Sequence, residues 1–147
     1  MTRARTALWI LPAAVTWIGC GGGGTSPNLV DMTGRWNFTE QFTDPVQRAA
    51  CSDTGTYVIS QSADGFTGGY SQRGVCTGPF GVVDNTDSGV VSEGHVVGRT
   101  IRFKAPFCDY DGHVPTEDGD RVDGHVACTI GDAQITYNFS GTWSAHR

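Results

Sequence analysis

The sequence predicts an all-β domain: an antiparallel up-and-down meander that closes into a 7–8-stranded β-barrel, stabilised by disulfides. Three observations carry this expectation. Apolar and polar residues alternate in short runs, and no window shows apolar residues at helical spacing. Tight turn signals such as Asp64-Gly65 and Asp118-Gly119 separate the runs. Four cysteines then fall symmetrically about two of those turns.

The first strand covers Arg35 to Phe42, with Trp36, Phe38 and Phe42 on one face and Glu40 the exception on it. The second runs from Thr56 to Ser62, placing Tyr57, Ile59 and Gln61 together, and the third from Phe66 to Gly74, with Phe66 and Tyr70. A short strand at Phe80 to Val83 leads into the turn cluster Asp84-Asn85-Thr86-Asp87-Ser88-Gly89. Val90 to Val97 follows, interrupted at Glu93-Gly94. Thr100 to Phe107 then alternates Ile101, Phe103, Ala105 and Phe107 with Arg102 and Lys104. Val122, Val126, Cys128 and Ile130 alternate in the next strand, and Ile135, Tyr137, Phe139 and Trp143 in the last. One apolar face per strand implies a single core, and closing the sheet removes its edges. A sandwich needs longer crossovers than these turns supply.

Cys51 and Cys76 centre on Ser62-Ala63-Asp64-Gly65, and Cys108 and Cys128 on Glu117-Asp118-Gly119. Residues that face each other across a hairpin lie symmetrically about its turn, so the expected pairs are Cys51–Cys76 and Cys108–Cys128. Cys108 is out of phase with Ile101 and Phe103, which calls for a bulge near Pro106.

The N-terminus has its own pattern. Arg3 and Arg5 precede the apolar run Ala7 to Gly19, which is too short to span a bilayer and is interrupted by Pro12. Trp17-Ile18-Gly19-Cys20 resembles the bacterial lipobox, with Trp17 where Leu is usual, and Gly21 to Gly24 with Thr25-Ser26-Pro27 forms a flexible tether. That resemblance implies a lipoprotein signal peptide over 1–19 and a lipid anchor at Cys20 with a tether over 20–33, leaving 34–147 as the barrel. It also implies export, attachment to the bilayer through N-terminal acylation, and residence in the bacterial cell envelope. With Gly21 after the cysteine, the outer membrane is implied if the host has two.

Gly34-Arg35-Trp36 resembles the Gly-x-Trp signature of lipocalins and related calycin barrels. Gly55-Thr56-Tyr57-Val58-Ile59 followed by Gly65-Phe66-Thr67-Gly68-Gly69-Tyr70 is similar to the second hairpin of avidin-like barrels. The resemblance covers roughly residues 34–72. It implies a barrel that holds a small apolar or amphipathic ligand, with Trp36, Tyr70, Phe103, Tyr137 and Trp143 as candidate ligand-binding residues. Avidins line their biotin site with several tryptophans, whereas the mature chain here has only Trp36 and Trp143, so biotin is not expected. In a closed meander those two side chains are expected to meet at the seam between first and last strands, as core or as ligand platform.

Removing residues 1–19 leaves eight Lys and Arg against fifteen Asp and Glu, a formal charge of −7. That excludes nucleic acid as an expected partner and disfavours anionic headgroups. The acidic segment 109–120 lacks the EF-hand spacing and reads as a solvated hairpin loop, with a looser calcium site on Asp109, Asp111, Asp118 and Asp120 as the alternative. Gly-His-Val recurs at 94–96, 112–114 and 124–126, but the histidine spacing lacks a short His-x-His pair, so a turn or bulge is expected rather than a metal site. No nucleophile elbow, zinc-protease motif or phosphate loop is present, so neither an enzyme nor a cofactor is expected. Asn37 and Asn138 match the glycosylation pattern but read as strand residues in a bacterial chain. Two functions compete: a ligand-binding barrel, and a protein-interaction module, inhibitor or assembly factor, acting through acidic loops 84–89 and 109–120 over a filled interior. Trp36, Phe103, Tyr137, Phe139 and Trp143 filling the barrel would favour the second.

Overall fold

A computed structural model describes residues 29–115, 117–131 and 134–147; the expected signal peptide, Cys20 and most of the tether lie outside them. Among the described residues nine strands follow one another: β1 (Gly34–Asp44), β2 (Ala49–Ser62), β3 (Gly65–Gly78), β4 (Gly81–Asp84), β5 (Asp87–Val97), β6 (Thr100–Ala105), β7 (Cys108–His113), β8 (Arg121–Gly131) and β9 (Thr136–His146). They form one antiparallel sheet in the order β2-β1-β9-β8-β7-β6-β5-β3-β4, and β2 also pairs with β3. The sheet thus closes into an eight-stranded barrel with β4 as an extra strand. β4 and β5 share one edge of β3, β4 against Val75 to Gly78 and β5 against Gly65 to Gln72.

The expected strand from Thr100 to Phe107 ends early, at Ala105, and the chain turns at Pro106-Phe107. Cys108 to His113, expected as the start of an acidic loop, is instead β7. Proline cannot donate to a ladder and presets the φ of a turn. The turn therefore resolves the phase of Cys108 with no bulge at Pro106. Register shifts fall elsewhere, at Ser92 to His95 and at Phe66 to Gly68.

Both disulfides are as expected, Cys51–Cys76 and Cys108–Cys128. Each joins residues directly opposite in a ladder. Closing loops of this length contributes about 3 kcal/mol each by restricting the unfolded chain.

The Gly-His-Val triplets have a packing explanation. In each, His is exposed between two inward positions. A Cβ on Gly94 would lie 2.4 Å from the Phe66 ring, one on Gly112 2.9 Å from the Trp143 ring, and one on Gly124 2.6 Å from the Gly112 Cα. Glycine lets rings and strands close in where any side chain would collide.

The two barrel ends differ. At the N-terminal end, Met32 is buried and its carbonyl accepts the Trp36 Nε1–H at 2.8 Å. The Arg147 guanidinium lies 4.5 Å from the centre of the Trp36 ring. Val114 is buried there too, its amide bonded to the Arg99 carbonyl. At the opposite end lie the connections β1–β2, β3–β4, β6–β7 and β8–β9.

Candidate functional site

The inward face of the barrel is largely occupied by aromatic rings. Phe38 stacks on Tyr57 at 4.2 Å and Phe103 on Tyr110 at 4.5 Å. Trp143 presents its face or edge to Tyr57, Phe103 and Tyr110. Nearer the hairpin end, Phe42, Phe139, Tyr137 and Phe80 form a second chain of ring contacts. Trp36, Phe103, Phe139 and Trp143 are buried and Tyr137 is half-buried. A hollow of about 640 Å³ lies against the outer wall across β8, β9, β1 and β2, where Thr39, Ser52, Thr54, Thr142 and Ser144 face out.

One side of this interior is polar. Glu40 and Asp53 are directly opposite each other on β1 and β2, and neither is more than 3% exposed. Tyr110 donates to Glu40 Oε2 at 3.1 Å, and Asn85 Nδ2 donates to Asp53 Oδ2 at 2.7 Å. Tyr70 donates to Asp87 Oδ2 at 2.7 Å. Burial pushes the Glu40 carboxyl up to about 7, opposed by the Tyr110 hydrogen bond and helped by the Asp53 charge. Burial also raises Asp53, against the pull of Asn85. Tyr57, Tyr70 and Tyr110 are all held above the ordinary phenol range, chiefly by burial, so all three stay protonated. Asp53 Oδ1 is buried with no hydrogen-bond partner. Such orphans are uncommon and mark a place for water or a visiting polar group. A facing pair of buried carboxylates can hold a proton or attract a cation.

The sequence singled out Glu40 only as an exception on an apolar face, and that was the available signal. Asp53 lay outside the expected second strand, so its facing position was not visible. Of the five expected ligand residues, Tyr70, Phe103 and Trp143 border the polar side or the ring cluster. Trp36 sits at the covered end and Tyr137 at the hairpin end. Trp143 pairs opposite Glu40 and donates to the Asp111 carbonyl at 3.0 Å; its ring contacts are Tyr57, Phe103 and Tyr110, not the expected Trp36.

The hairpin end has the reverse character. Pro45-Val46, Pro79-Phe80 and Pro106-Phe107 sit at three of its connections, each proline followed by an exposed apolar side chain. Val46 is 84% exposed and Phe107 74%. Phe107 also has φ +66°, the left-handed region that glycine or asparagine occupies more cheaply. A bulky ring is thus held in an unfavourable backbone conformation and in water at once. Asp44 pins the β1–β2 connection, accepting the amides of Val46, Gln47 and Asn138.

The acidic loops do not gather. Asp84 accepts the Thr86 amide, Asp87 accepts Tyr70, Asp109 faces Lys104 at 3.9 Å and Asp111 faces His125 at 3.6 Å. Among the described residues, no three His, Cys, Asp or Glu side chains converge as metal ligands. Asn37 and Asn138 are strand residues, on β1 and β9.

No protein-family model matches this chain, and no curated protein matches it. Among solved structures it is similar to an S-type phycobiliprotein lyase from Guillardia theta, at 9% identity and a TM-score of 0.49, over 79% of this chain and 88% of that one.

Proposed function

We propose that this chain is a lipoprotein of the bacterial envelope, acylated at Cys20, whose barrel is a rigid stand for a protein-binding surface at its hairpin end. One observation carries the reading: the interior is occupied by the chain's own rings, while Val46, Phe80 and Phe107 stand exposed on three connections at the same end. Packed interiors resist insertion of an apolar guest. Exposed rings on rigid proline turns suit the centre of an interface. Apolar tips thus replace the acidic loops as the contact surface. The disulfides fit an oxidising compartment, and the expected lipobox supplies the anchor.

A photo-crosslinking side chain at Phe107 or Val46, in the native host, should give a discrete protein adduct. The same group at Val97, exposed at the other end, should not. Native mass spectrometry that finds one small molecule retained per chain would overturn this reading in favour of a carrier. A second reading, a carrier for a small polar cation, is favoured only by the orphaned Asp53 Oδ1, and the same mass measurement decides it. Acylation is checked by the intact mass of the mature N-terminus, with Cys20→Ser as the unmodified reference.

A further inference from the structure

The barrel wall is incomplete beside β4. β6 pairs with β5 from Val97 down to Ser92 and turns back at Pro106-Phe107. Below Ser92, β4 and the first half of β5 are bonded to β3 on one side. Among the described residues no strand pairs with their other side. The Asn85 amide bonds the Gly74 carbonyl, which makes 74/85 a hydrogen-bonded pair. The alternation of an antiparallel ladder then turns residues 81, 83 and 85 toward β3. It turns the N–H and C=O groups of Val82 and Asp84 toward the open side. Strand edges are ordinarily blunted. Here the blunting is partial: Asp84 captures the Thr86 amide at 2.7 Å, while Val82 is 73% exposed.

The same gap borders uncompensated charge. Asn85, Asp87 and Gly89 are the inward positions of the bordering strand, and Asp87, itself exposed, forms the rim. Behind it stand Asp53, with one orphaned oxygen, and Glu40. No ion pair among the described residues involves Glu40, Asp53 or Asp87. A strand laid along the open edge alternates its side chains in and out. Its inward side chains therefore face these acids.

We propose that an extended segment of a partner protein, carrying a lysine or arginine, adds as a strand to the open edge of β4 and the first half of β5, with that cation turned inward to Asp87 and Asp53. The inference rests on the protein-binding reading above and supplies its mode. The formal charge, −5 for the whole sequence and −7 once residues 1–19 are removed, favours a cationic partner. A second copy would bring Asp84 and Asp87 against acids of the same sign.

The test uses the mature, oxidised protein in detergent and an acetylated, amidated heptapeptide, Thr-Lys-Thr-Lys-Thr-Lys-Thr. Saturating peptide should slow amide exchange at Val82 and Asp84 roughly ten-fold, as expected for two or three added backbone hydrogen bonds. Alternate N-methylation of the peptide should abolish the protection, and the Glu-for-Lys peptide and Asp87→Asn should each weaken binding roughly ten-fold. Val82→Pro, tolerable on an edge, should abolish binding, while Val82→Thr should retain it. Unchanged exchange at both amides, equal protection by the N-methylated or glutamate peptide, or full binding by Val82→Pro would overturn the proposal. So would concentration-dependent protection of both amides without peptide, which would assign the edge to a second copy. If these fail while the crosslinks at Phe107 and Val46 persist, strand addition is wrong and the hairpin-end reading stands. If the crosslinks fail as well, both are wrong.

Discussion

Replacing Glu40 with glutamine should remove most of the pH dependence of this protein's stability near neutrality. Glu40 is 3% exposed and its carboxyl is raised from 4.5 to about 7, mainly by burial. Between those values the folded chain keeps a proton that the unfolded chain has released. Folding is therefore helped below about 4.5, and that help is lost as pH rises through about 7. The size of the effect is about 3 kcal/mol. Asp53, raised in the same direction by burial, adds to the slope. Asp31, Asp44 and Asp84 are lowered by hydrogen bonds, so their contributions disappear only as pH falls below 3.8. Glutamine imitates the neutral acid and can still accept the Tyr110 hydroxyl. The assay is urea unfolding of the oxidised protein between about pH 5 and about pH 8. Wild type should lose stability across that range, while Glu40→Gln should keep only the smaller slope that Asp53 leaves and be the more stable of the two at the alkaline end. A wild-type midpoint that stays level or climbs, or an unchanged slope in the variant, would refute a protonated, buried Glu40.

Three further outcomes are expected. Replacing Cys108 and Cys128 together with alanine should cost about 3 kcal/mol in the same urea assay, because a closed loop with a sequence separation of 20 is freed in the unfolded chain. Gly124→Ala should cost more than about 3 kcal/mol or prevent folding, since its Cβ would sit 1.9 Å from the Asp111 carbonyl oxygen, whereas Gly65→Ala, whose nearest neighbour is at 3.7 Å, should stay within about 1 kcal/mol. Phe107→Asn should raise thermal stability by about 1 kcal/mol by relieving the positive φ, while adducts of a crosslinker at Val46 weaken.

The barrel was legible because its signals are local. Alternation in β9 and the turn residues at 63–65 and 117–119 depend on neighbours in sequence, and the symmetry of Cys51 and Cys76 about a turn is a short calculation. β7 was not legible, because Asp109, Asp111 and His113 read as a polar loop until Tyr110, Gly112 and Val114 are seen to face inward. Charged residues on the outward face of a strand and charged residues in a loop have the same composition. The polar interior was less legible still. Asp53 precedes Gly55, so the second strand seemed to begin after it, and its meeting with Glu40 is set by a register that only pairing reveals. The Pro-Val and Pro-Phe steps were visible as residues, but their gathering at one end follows from strand direction around the closed sheet.

Two features of this chain invert the usual distribution of polarity, and both lie around the lower half of the barrel. Acidic side chains without cations are buried at Glu40 and Asp53, and Val46, Val82 and Phe107 are in water. Each raises the free energy of the isolated protein: an unpaired buried polar group costs about 1–3 kcal/mol, and an exposed ring forgoes a comparable stabilisation on burial. Packing alone explains neither. The Asp53 oxygen has no hydrogen-bond partner, and Phe107 adopts a backbone conformation that asparagine or glycine would hold more cheaply. A partner strand that brings a cation to the acids and apolar surface to the tips would relieve both costs in one event. Phe107→Asn and Glu40→Gln should each stabilise the free chain, and the same two substitutions should weaken its complex. That opposition between folding and binding is what separates a binding surface from a poorly optimised core.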